Sequence, residues 1–131
     1  DMLVIPGGFG CALNLSDFAK KFKDMLVHPE VKRLILECYH AKKPIGAICI
    51  APVLIAKVLG KFKPSLTVGD NEEVEACLSS FGAQMKKCKK GEVILDQKNK
   101  IATTPAYMYD DSSLVEVQKG IEEMVTALFQ F

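Results

Sequence analysis

Long apolar runs are missing from this sequence. No stretch approaches the ~20 residues that a helix needs to cross a bilayer, and the opening residues are not laid out as a secretory signal. Nor is either charge in excess. Seventeen Lys and Arg stand against sixteen Asp and Glu, a formal charge of +1. No broad field therefore draws the chain to nucleic acid or to an anionic membrane, and a small molecule or a protein is the expected partner. The five cysteines, at 11, 38, 49, 77 and 88, form no C-x-x-C pair and have no histidine at zinc-ligand spacing. An odd, scattered set fits a reducing compartment better than a disulfide framework. No metal and no cofactor are expected. Internal repeats, linkers and low-complexity tracts are lacking too, and no histidine follows Cys49.

What is there fits one domain, residues 1–131, with 49% apolar and 25% charged residues. Its organising stretch is Pro44-Ile45-Gly46-Ala47-Ile48-Cys49-Ile50-Ala51-Pro52, where a short apolar run ends at a cysteine and a helical pattern begins at once. That is the layout of a nucleophile elbow, which leaves the turn side chain at the top of a sheet beside the first free N–H groups of a helix. Those groups favour a thiolate and could hold an oxyanion. The plain alternative is a buried cysteine closing a core strand.

Around the elbow the chain alternates between strand and helix patterns. Asp1 to Ile5 reads as a strand already in progress, suggesting sequence upstream, and runs into a loop at Gly7, Gly8 and Gly10. Asn14 to Asp17 offer caps for a short helix over Phe18 to Met25. Pro29 starts another, with Val31, Leu34, Ile35 and Cys38 as its core-directed face. Ala51 to Leu59 is apolar nearly all round, a helix packed deep against the sheet and closed by Gly60. Ser65 to Val68 is a short strand. Asp70 or Asn71 then caps a helix with the stripe Val74, Cys77, Leu78 and Phe81, ending at Gly82. The lysines flanking Cys88 read as a solvated loop or strand edge. Val93 to Leu95 and Ile101 to Thr104 form a hairpin through the polar turn Asp96 to Lys100, a loop follows to Tyr109, and Leu114 to Leu128 is a helix of about five turns.

This alternation predicts an α/β fold, a mostly parallel sheet sandwiched by helices. Ligands bind such sheets beyond the carboxyl ends of the strands. Three features converge on that edge: the glycines after the first strand, Cys49 after the elbow strand, and Gly69-Asp70. An exposed nucleophile beside loop N–H donors is what covalent catalysis requires.

Pro6-Gly7-Gly8-Phe9-Gly10, Asn14-Leu15-Ser16, Lys43-Pro44-Ile45-Gly46, Cys49-Ile50-Ala51-Pro52, Asp96 to Lys100 and Thr103 to Met108 carry a family resemblance along the whole chain. The sequence resembles the ElbB-type glyoxalase branch of the amidotransferase-like superfamily, beside the Parkinsonism deglycase and the PfpI-type proteases. The resemblance implies a flavodoxin-like sheet with a short C-terminal β-hairpin. It also implies an upstream strand and helix, with a glutamate that hydrogen-bonds the elbow cysteine, outside these residues. Cys49 matches the nucleophile, and Gly8 and Ile50 match the oxyanion-hole positions. PfpI-type relatives carry a histidine where this chain has Ile50, and the deglycase has one near Val68-Gly69-Asp70, so no His-Cys dyad is left.

The implied activity is cysteine-dependent conversion of a small 2-oxoaldehyde, glyoxal to glycolate, with little turnover by this chain alone. A redox-responsive or non-catalytic role for the elbow thiol is the alternative. Glutamine amidohydrolysis is disfavoured for want of a histidine after Cys49. His28-Pro29-Glu30 precedes the nucleophile and reads as a helix start, and His40 as a polar group at a helix end. The resemblance allows a homodimer, and implies a mitochondrial location in an animal, the first choice, or a cytoplasmic one in a bacterium.

Overall fold

The computed structural model describes residues 1–131. Four strands, β1 (Leu3–Ile5), β2 (Ile45–Ile48), β5 (Ile94–Asp96) and β6 (Ile101–Thr104), form one sheet in the order β1-β2-β6-β5. The first three neighbours run parallel and β5 returns antiparallel to β6, so the hairpin expected from the polar turn closes one edge. Two further strands, β3 (Ser65–Leu66) and β4 (Gln84–Met85), pair in parallel as a small second sheet. The chain is thus α/β, with a mostly parallel sheet flanked by helices.

Period-two alternation decides which side chain faces which layer. Ile45 and Ala47 of β2 and Ile101 of β6 enter the larger core with α3 (Pro29–His40), α4 (Pro52–Leu59) and α5 (Glu72–Ser80). Ile48 and Ala102 enter the smaller core beneath the long α6 (Leu114–Gln130). Gly46 faces α6 as well. A Cβ there would stand 2.8 Å from Leu128 and 3.0 Å from Met124, so the bare backbone lets the last helix settle on the elbow strand.

Local chemistry accounts for the helix ends. Pro29 opens α3, whose first turn is capped by His28 Nδ1 accepting from Glu30 N–H at 3.1 Å, so His28 serves the helix start. Asn71 caps α5 through Val74 N–H, and Ser113 with Glu116 forms a reciprocal capping box on α6. In α4 six of eight residues are buried.

Other expectations are corrected. A five-residue helix, α1 (Phe9–Leu13), follows Gly8 and takes Gly10 into its interior, where a loop was expected. The helix expected over Phe18 to Met25 stops at α2 (Phe18–Lys21), because Phe22 at φ 47° breaks it into a 3-10 turn. Leu34 is exposed, leaving Ile35 as the fully buried anchor of α3. Gly60 closes α4 as expected, though at φ −53° rather than in the left-handed conformation. It continues into a 3-10 turn, and its missing Cβ makes room for the Phe81 carbonyl, which would otherwise lie 1.9 Å away.

Candidate active site

β2 ends at Ile48, and Cys49 follows with φ 61°. A side chain in the left-handed region costs roughly 1–2 kcal/mol, so this residue is held there by its surroundings. Its N–H donates to the Thr104 carbonyl at the end of β6, at 3.0 Å, and the Ala51 N–H returns to the Ile48 carbonyl at 3.0 Å. α4 starts three residues later at Pro52. This is the sharp strand-to-helix turn expected of a nucleophile elbow.

The glycine loop packs against that turn. Gly7 takes φ 90° and Gly8 φ 86°, and a Cβ on Gly7 would lie 2.5 Å from the Ile48 carbonyl oxygen and 3.1 Å from Cys49 Cβ. Gly7 therefore has to be glycine twice over, for its conformation and for the close approach. Gly8, by contrast, has open space where a Cβ would go.

Cys49 is half-buried, and burial pushes its thiol above the ordinary thiol range. Three backbone N–H groups, of Ile50, Gly8 and Tyr107, pull the other way. The expected oxyanion positions, Gly8 and Ile50, are thus brought to Cys49 together. The expected thiolate-favouring balance is reversed, because desolvation of the anion outweighs these dipoles. No carboxylate or imidazole contributes to the shift.

Two neighbours escaped the sequence reading. Tyr107 supplies the third N–H from a 3-10 turn, Ala106–Met108, which Ala106 enters at φ 45°. Proline at 105 signalled a turn there, but nothing marked its direction. Cys11, on α1, is buried, donates to the Gly7 carbonyl at 3.4 Å, and feels the charge of Cys49. The third convergent feature arrives indirectly. Gly69, at φ 75°, lies against Tyr109 and Pro105, the segment that carries Tyr107. Cys77 is buried and Cys38 packs against the core, while Cys88 is half-buried beside Thr67 Oγ1 at 3.4 Å with its thiol pushed up by burial. His40 stacks edge-on to Tyr39 and Phe62, away from the elbow.

No family model matches the sequence. A solved structure does: the isoprenoid biosynthesis protein with amidotransferase-like domain from Ehrlichia chaffeensis superposes with a TM-score of 0.87 at 35% identity, over 99% of this chain and 58% of that one. The fold is amidotransferase-like. The Rapid Encystment Protein 24 KDa of Francisella tularensis shares it at a TM-score of 0.63 and 18% identity.

Among curated proteins the chain is 43% identical over 141 residues to the rat "ES1 protein homolog, mitochondrial". It is 42% identical to the human "Glutamine amidotransferase-like class 1 domain-containing protein 3, mitochondrial" and 32% identical to the zebrafish "ES1 protein, mitochondrial". These alignments cover 99%, 99% and 95% of the chain but only 51%, 51% and 50% of the relatives. The chain spans about half the length of the curated relatives it matches. Their names carry the mitochondrial location expected for an animal source.

Proposed function

We propose that this amidotransferase-like domain carries the nucleophile of a cysteine-dependent conversion of small 2-oxoaldehydes to hydroxy acids, glyoxal to glycolate in the simplest case, in mitochondria. The observation that carries the reading is Cys49 at φ 61° with the N–H groups of Ile50, Gly8 and Tyr107 acting on its sulfur. Its thiolate adds to one aldehyde carbon, and the resulting oxyanion takes up those N–H groups. A proton then leaves the former aldehyde carbon and, through an enediol, reaches the neighbouring carbon. The product is a glycolyl thioester on Cys49, which water cleaves to glycolate and free thiol. The sum is glyoxal plus water giving glycolate, so no oxidant or reductant is consumed.

The proton transfer needs a base. None of the carboxylates or imidazoles acts on Cys49, so the base is a group other than those around the elbow, the role that the family resemblance gives to an upstream glutamate. A raised thiol leaves little thiolate at neutral pH, and turnover by these 131 residues alone is slow. The same burial weakens the redox-responsive alternative, since oxidation follows thiolate character and exposure. The deciding experiment measures glyoxal and methylglyoxal loss with the purified chain and with Cys49→Ser. A faster wild type is expected; equal rates overturn the reading.

A further inference from the structure

We propose that the opposite end of the sheet is a second site, a basic cleft that binds the di- or triphosphate group of a small molecule. A cleft of about 460 Å³ opens between Tyr39, Phe62, Ser65 and Asp96, rimmed by Lys61, Lys63 and Lys98. A neighbouring one of about 350 Å³ shares Tyr39, Lys98 and Asn99 and adds Lys42 and Lys100. The first volume falls within the range of small-molecule pockets. Parallel strands rise about 3.3 Å per residue, which sets this rim, ahead of β2 and β6, roughly 15 Å from the elbow.

Five lysines from three separate segments line these two adjoining clefts, Lys98 lining both, and none of them makes an ion pair. The one carboxylate in the cleft is already engaged. Asp96 accepts from Ser65 N–H at 2.8 Å, Asn99 N–H at 2.9 Å and Asn99 Nδ2 at 2.9 Å, and Asn99 in turn holds Tyr39 at 2.7 Å. The helix C-termini of α3 and α4 account for Lys42 and Lys61. They do not account for Lys98 and Lys100, which lie on the hairpin turn.

The backbone adds a second observation. Of the six non-glycine residues with positive φ, three are lysines of this rim: Lys42 at 59°, Lys63 at 53° and Lys100 at 56°. Glycine is the residue such turns favour, and here the chain carries a cation instead. Lysine recognises phosphate as a compact point charge, and several of them around one concavity match a multiply charged anion. The overall charge of +1 conceals this local segregation.

Tripolyphosphate titrated calorimetrically at low salt into the whole chain tests the proposal. Saturable binding is expected, weakened at least tenfold by Lys98→Gln with Lys100→Gln, and unchanged by Lys86→Gln with Lys87→Gln or by Cys49→Ser. The two cleft substitutions also raise the melting temperature of the unliganded chain by relieving repulsion, whereas lysines serving only as structural supports would lower it. Lys63→Gln alone, weakening binding likewise, serves if the double variant does not fold. Absence of saturable binding, or equal weakening by both double variants, overturns the proposal. So does binding to phosphatidylcholine vesicles containing phosphatidylglycerol without binding to tripolyphosphate, which would mark a lipid-facing surface. Because Cys49→Ser leaves the titration intact, this outcome is independent of the glyoxal assay.

Discussion

Replacing Cys49 by alanine and by glycine separates the elbow's backbone from its chemistry. Both substitutions delete the thiol and differ only in the Cβ. At an ordinary position glycine is less stable than alanine by roughly 0.5–1 kcal/mol, because it loses more backbone freedom on folding. At φ 61° the alanine Cβ carries a strain of about 1–2 kcal/mol that glycine escapes. The strain relief exceeds the entropy term, so Cys49→Gly should be more stable than Cys49→Ala by about 0.5–1 kcal/mol, the reverse of the usual order. For a chain of this size that is a difference of roughly 2–4 °C in Tm. Thermal melts at one pH, with urea unfolding to check that the slope is unchanged, read it directly. If alanine equals or exceeds glycine, the elbow is not strained and the cysteine is not held against its own preference.

Three further outcomes follow from buried groups. Burial raises the thiols of Cys11, Cys49, Cys77 and Cys88. The unfolded chain therefore releases these protons first, and stability that is full below the ordinary thiol pKa of about 8.5 is lost as pH rises towards the raised folded values. The urea midpoint should fall between pH 8 and 10, and a flat profile would refute the shifts; alkylation of Cys49 by iodoacetamide should climb through the same interval. Asp96→Ala leaves the buried Asn99 N–H and the half-buried Ser65 N–H without their acceptor and should cost about 3 kcal/mol in urea unfolding; a loss under about 1 kcal/mol would show that water replaces the carboxylate.

The elements legible in the sequence were those whose signal is local. The apolar run into Cys49, the proline opening α3, the Asn71 cap and the long stripe of α6 each state their structure within a few residues. What stayed hidden depends on distant partners. β4 is a two-residue strand that exists because Ser65 and Leu66 lie beside it. Gly60 was legible as the end of α4, but not that the Phe81 carbonyl occupies its empty side. The approach of Gly8 and Ile50 to Cys49 was legible because glycine and the strand-helix junction leave marks. Tyr107 was not, since a backbone N–H is donated by any residue and only the turn at Ala106 aims it. The sign of the thiol's shift was equally out of reach, because burial is contributed by the rest of the molecule.

The bare backbone of Gly46 beneath Met124 and Leu128 has a consequence for synthesis. A chain made from its N-terminus delivers the elbow strand long before the last helix has left the ribosome. Until that helix docks, one face of β2 has no cover, and until β6 emerges the Cys49 N–H has no carbonyl to meet. Cys49 is made before the strand and the helix that set it, so the nascent chain carries its thiol at the ordinary pKa and only folding pushes it up.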